Sequence, residues 1–170
     1  CGVTVLNGVI YAVGGYETAR GYTNTCKIYN INTNQWFDIA SLNVPRYDFT
    51  CVSLKNNVYA IGGVNTDGTL ASGEFYNPIN NTWSYIAALS TATRDAPGIV
   101  FNDKIYVFGG YSTLDAYNNS YKIYDPNTNT WTTTTISGYT PSCSSIAIAF
   151  NKIYIFGTQA GSDAHIDTGS

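Results

Sequence analysis

The chain has 170 residues, enough for one domain with a real core. Its formal net charge is −3 and its eight Lys and Arg are scattered, so it offers no basic surface for nucleic acid. No apolar run approaches the ~18–20 residues of a membrane span, and no secretory signal peptide is visible, so no membrane insertion is expected.

In chain order the first run, GVTVL, reads as a strand. The CG before it is expected to be part of a strand cut in the middle, in preference to a lipidated amino terminus. Asn7-Gly8 is a tight-turn dipeptide, and VIYAVGGY (9–16) is a second strand running into Gly14-Gly15. The longer link YETARGYTN (16–24) leads to a third run around Tyr29, the Asn-rich turn NINTNQ, and a fourth run with Trp36. The same order returns in DFTCVSL, VYAIGG, GEFYN and TWSYIA, with turns at Asn56-Asn57 and NPINN. It returns again up to Trp131, with turns at Asn102-Asp103 and DPNTNT. Two last runs flank Asn151-Lys152.

This order is a repeat. The glycine pairs Gly14-Gly15, Gly62-Gly63 and Gly109-Gly110, then Gly157-Thr158, are spaced by 48, 47 and 48 residues. In register with them run Tyr11, Tyr59, Tyr106 and Tyr154, then Tyr29, Tyr76 and Tyr124, then Trp36, Trp83 and Trp131. A period of this size, filled by four short strand-like runs, predicts a four-stranded antiparallel meander per repeat, in the range of propeller blades. One such meander cannot bury both faces, but blades stacked around an axis can.

On these residues the sequence resembles the kelch-repeat family, whose marks are the aliphatic-Tyr-x-x-Gly-Gly strand, the Tyr-Asp/Asn-Pro corner and the later Trp. KIYVFGGY…YKIYDPNTNTW (104–131) is the fullest copy. The family's arginine before the first strand is matched by Arg46 and Arg94, with a one-residue offset between them. The resemblance implies an all-β, kelch-type β-propeller segment of four-stranded antiparallel blades. The ring is incomplete, with three full blades plus two strands of a fourth. Blade 1 is expected at about 1–40, blade 2 at 47–87, blade 3 at 95–136 and partial blade 4 at 143–157, followed by a polar tail at 158–170. Known propellers close with about four to eight blades, so the expectation is a fragment of a larger propeller, or self-association that completes the ring.

Catalytic residues are sparse. Cys1, Cys26, Cys51 and Cys143 lack CxxC spacing and read as core fillers, their disulfide state left open. The single His165 lies in Asp163-x-His165-x-Asp167, which reads as a polar terminus and alternatively as metal ligands sharing one strand face. Kelch-like propellers also include copper radical oxidases and sugar-processing enzymes, but the two His of the oxidase site have no counterpart here. NTDGT (65–69) lacks the remaining ligands of a calcium loop. The expectation is therefore no catalytic residues, no metal, no cofactor and no enzyme.

Loops remain. The resemblance implies partner contact through the second-to-third-strand links 16–24, 64–72 and 111–119 and the blade-to-blade links 41–47, 89–96 and 137–142. They hold Arg46, Arg94, Tyr16, Arg20, Tyr22, Tyr47, Tyr111, Tyr117 and Tyr139, residue types enriched at binding hot spots. For Arg46 and Arg94 the alternative is bracing between neighbouring loops. The expected function is a non-catalytic scaffold for a protein or peptide partner. The alternatives are a carbohydrate-binding or carbohydrate-active secreted propeller, and a structural repeat in a surface assembly. Asn80-Asn81-Thr82 and Asn118-Asn119-Ser120 match the N-glycosylation pattern, and low charge with abundant Thr, Asn and Tyr leans toward an extracellular or surface setting.

Overall fold

A computed structural model of the chain describes residues 1–112, 118–135, 141–158 and 164–166. Every regular element described is a strand. Blade 1 is β1 (Gly2–Leu6), β2 (Val9–Glu17), β3 (Gly21–Asn30) and β4 (Gln35–Ile39), in the order β1-β2-β3-β4. Blade 2 begins with β5 (Thr50–Leu54) and β6 (Asn57–Ile61). A small hairpin of β7 (Val64–Asn65) and β8 (Gly68–Thr69) follows, and the blade ends with β9 (Gly73–Asn77) and β10 (Thr82–Ile86). Its sheet order is β5-β6-β9-β10.

The link to blade 3 holds β11 (Thr93–Arg94). Blade 3 is β12 (Gly98–Phe101), β13 (Lys104–Phe108), β15 (Ser120–Asp125) and β16 (Thr130–Thr135), while β14 (Tyr111–Ser112) pairs back to β11. The fourth sheet is β17 (Pro141–Ala149), β18 (Lys152–Thr158) and β19 (Ala164–Ile166). It has three strands where two were expected, because β19 pairs with β18 at Ile153↔Ile166. The segment expected as a polar tail thus supplies a strand, and its polar sequence concealed it.

The period of two explains the stacking. Tyr11 and Val13 on β2 face blade 2, where they meet Val58, Ala60, Tyr76 and Trp83. The alternate residues Tyr59 and Ile61 face blade 3 and meet Ile105, Val107 and Tyr124. Tyr106 and Phe108 then face Ile153 and Ile155. Both faces of β6 and β13, the second strands with a blade on each side, are therefore buried, which is why they read as continuous apolar runs. Each such Val, Ile or Phe contributes roughly 1.5–3 kcal/mol.

Turn chemistry sets the meander. Asn34, Asn81 and Asn129 adopt φ of 54°, 51° and 53° between third and fourth strands, a left-handed conformation that Asn tolerates. Two first-to-second-strand turns sit one residue earlier than expected, at Lys55-Asn56 and Phe150-Asn151, with Lys55 and Phe150 at positive φ. There the register of the strands overrides the local preference of the turn residue.

The same turn asparagines join the blades. Asn81 Oδ1 accepts from Tyr76 Oη at 2.8 Å and from the N–H of Ala40 in blade 1 at 2.9 Å. Trp83 Nε1–H donates to the Ala40 carbonyl at 2.9 Å, so both backbone polar groups of one residue of blade 1 are held by blade 2. Blade 3 repeats this on Ala87 with Asn129, Tyr124 and Trp131. In blade 1 the Tyr29 hydroxyl also donates to Asn34, but Trp36 is 50% exposed against 7% for Trp83.

Candidate binding face

The glycine pairs position the face. Gly15 N–H donates to the Arg46 carbonyl at 2.8 Å, and Gly63 N–H to the Thr93 carbonyl at 2.9 Å. A Cβ on Gly63 would stand 2.6 Å from the Tyr47 carbonyl, and one on Gly110 2.6 Å from the Arg94 carbonyl. In blades 2 and 3 the second strand stops at the pair, after Ile61 and Phe108, whereas in blade 1 β2 runs on to Glu17 with a register shift between Val13 and Gly15. At the pair the backbone is crossed by the link entering the next blade and approached by the link entering its own. The close approach is mainly to carbonyls; aromatic contact is secondary and comes from Phe49.

These bonds fix an alignment that the sequence hides. Arg46 and Thr93 occupy the same place, and so do Tyr47 and Arg94, which bridge to Val64 and Tyr111 respectively. Arg46 is therefore turned into the blade and is fully buried. Its Nη1 donates to the carbonyls of Gly62 at 2.6 Å and Ser72 at 3.0 Å, and its Nη2 to Glu74 Oε1 at 2.8 Å. Glu74, also buried, further accepts from the backbone N–H of Asn43 at 2.8 Å and of Val44 at 3.1 Å. Desolvation pulls the guanidinium below its ordinary pKa, and Glu74 opposes this. Partner contact, one of the two roles expected for Arg46, is corrected: a fully buried side chain offers no surface, and its bonds are those of a brace. Arg94 points the other way, with its guanidinium 4.9 Å from the centroid of Tyr111.

One residue further on, Asp48 and Asp95 coincide in the two links, at φ of 51° and 54°, and Asp95 N–H donates to the Asp48 carbonyl at 2.8 Å. Both border a pocket of about 370 Å³ that Tyr47, Phe49, Ala96 and Pro97 also line. Burial raises the pKa of Asp48, and the nearby Asp95 adds to the effect. Beside the pocket Tyr47 lies 6.1 Å from Tyr16, which meets Tyr22 edge-on at 5.3 Å. Tyr16 and Tyr47 are 55% and 39% exposed.

The structure therefore gathers Tyr16, Tyr22 and Tyr47 and sets Arg94 with Tyr111 on the next link. Arg20 stays apart on an exposed ion pair with Glu17 at 3.8 Å. Tyr117 and Tyr139 lie outside the described residues, as do Asp163, Asp167 and the side chain of His165. Sequence reasoning missed Phe49 and the recurrence of Asp48 and Asp95, because aligning the two arginines shifts one link by a residue. Among the described residues no group of three or more His, Cys, Asp or Glu is placed to hold a metal. Cys26 and Cys51 are free thiols whose pKa values burial pushes up to about 11 and about 12, so both are unreactive fillers at neutral pH.

A family description, the KLHDC2/KLHL20/DRC7 Kelch-repeats domain, matches residues 1–157. The chain belongs to the kelch-repeat family. Among curated kelch relatives, Kelch-like protein 42 of Homo sapiens is 34% identical over 61 residues, 36% of this chain and 12% of that protein. Kelch-like protein 40 of Xenopus laevis is 40% identical over 65 residues, 38% of this chain and 10% of that protein. The matched segments thus span about a tenth of these relatives. Among solved structures, that of YjhT superposes with a TM-score of 0.78 at 18% identity, over 93% of this chain and 58% of that chain.

The likeness to YjhT corrects one expectation. The chain covers little more than half of that solved chain, and a propeller's site is assembled from loops of several blades. The expectation of no enzyme, drawn from the sparse catalytic residues of this segment, is overturned and withdrawn.

Proposed function

We propose that this kelch segment forms part of a carbohydrate-recognising face of a propeller. The observation that carries the reading is the pocket bordered by Asp48 and Asp95 and walled by Tyr47 and Phe49. Carboxylates accept hydrogen bonds from sugar hydroxyls, and aromatic rings pack against the C–H faces of a sugar ring. The volume, about 370 Å³, suits one or two sugar units. The adjoining Tyr16 and Tyr22 extend the aromatic surface along the same rim.

The kelch fold is also capable of mediating protein contacts, and Arg94 on Tyr111 favours a second reading in which an acidic peptide docks on the neighbouring link. A glycan array, followed by calorimetric titration of any hit, separates the two. The carbohydrate reading expects a hit whose affinity falls at least tenfold in Asp48→Asn and in Tyr47→Ala. A blank array, or hits indifferent to both changes, removes it and leaves the peptide reading.

A further inference from the structure

Blades 2 and 3 fill the same buried place with different charges. On β9 and β15, Glu74 pairs across to Ala60 and Lys122 to Val107, two residues before the first glycine of each pair. Glu74 and Lys122 are therefore equivalents, as are Arg46 and Thr93. A buried ion pair in blade 2 becomes a buried lysine beside a threonine in blade 3. Lys122 is 1% exposed, and its Nζ donates to Thr93 Oγ1 at 3.3 Å. Among the described residues no carboxylate pairs with it; the ion pairs are Arg20–Glu17, Lys27–Asp38, Arg46–Glu74 and Lys104–Asp125.

The donors that surround the Glu74 carboxylate have counterparts as well. Leu42 N–H donates to Asn24 and Leu89 N–H to Ala71, in the same position of the two links. Counting on from them, Ser90 and Thr91 correspond to Asn43 and Val44, whose N–H groups hold Glu74. In blade 3 no acid among the described residues meets those two N–H groups, since Lys122 stands where Glu74 would. The Thr93–Lys122 pair is also smaller than Arg46–Glu74 by about four heavy atoms, the size of acetate. A buried charge left without a partner costs several kcal/mol, whereas a bound counter-ion offsets it.

We propose that blade 3 binds a small carboxylate anion beside Lys122, held by Lys122 Nζ and the N–H groups of Ser90 and Thr91, where blade 2 uses its own Glu74. The burial of Lys122 restricts the ligand to a few heavy atoms. The site lies inside the blade seam and is separate from the pocket of Asp48 and Asp95.

The test is thermal unfolding at pH 7 in sodium acetate titrated against sodium gluconate at fixed ionic strength. The wild-type chain is expected to show a saturable rise in Tm with acetate. Lys122→Met should abolish that rise. The double variant Thr93→Arg with Lys122→Glu rebuilds the blade 2 pair, and it should fold and be indifferent to acetate. A flat wild-type response, or an equal rise in either variant, overturns the proposal; the wild-type arm decides even if a variant fails to fold.

Discussion

Trp83 and Ala40 are bound across the seam between two blades, indole N–H to carbonyl, at 2.9 Å. Trp83→Phe keeps part of the ring system but leaves that partly buried carbonyl without its donor. The expected cost is about 1–3 kcal/mol in urea unfolding. Trp36→Phe, at the half-exposed equivalent, should stay within about 0.5 kcal/mol. Equal losses would mean that the tryptophans act by packing alone.

Arg46→Ala strands the Glu74 carboxylate in the interior and should cost about 3–5 kcal/mol. The double change Arg46→Met with Glu74→Leu removes both charges and should recover most of that loss, as read by the same denaturant curve. A mild single variant would sink the brace.

A lysine with a depressed native pKa gives a signed pH dependence. Burial lowers Lys122 below 10.5, so between its native value and 10.5 the unfolded chain holds the extra proton. Stability from this group therefore rises with pH across that window. The buried hydroxyls of Tyr59 and Tyr124 act oppositely: their pKa values are raised by burial, that of Tyr124 to about 12, so their contribution is lost as pH climbs beyond 10. The difference between wild type and Lys122→Met, measured in gluconate from pH 7 to 10.5, isolates the lysine. It should shrink as pH rises; a constant difference would contradict the assignment.

Gly63→Val drives a side chain against the Tyr47 carbonyl, whereas a Cβ at Gly68 meets nothing within 4 Å. Both positions have positive φ, 97° and 115°, so both substitutions carry backbone strain. The excess cost at Gly63 reports the crossing alone, and calorimetric Tm values should rank Gly63→Val well below Gly68→Val.

The blade was legible in the sequence because its markers are periodic and each does one job: Tyr11, Tyr59 and Tyr106 are buried at the same seam position. The candidate site was less legible. Arg46 and Arg94 look alike in sequence, yet one residue of offset turns one inward and the other onto Tyr111. Asp48 and Asp95 resemble ordinary turn residues, and only the crossing over the glycines brings them to one pocket. Glu74 and Lys122 lie mid-strand, where nothing in local pattern announces a buried charge.

The joint at the glycine pairs is made of peptide groups, N–H of Gly15 and Gly63 to carbonyls of Arg46 and Thr93. A joint of that kind is indifferent to which side chain the contributing residue carries, and this chain already uses arginine at one and threonine at the next. The crossing links can therefore change side chain from one repeat to the next while the backbone joint stays the same; what holds Arg46 in place is Glu74 beneath it, not the joint.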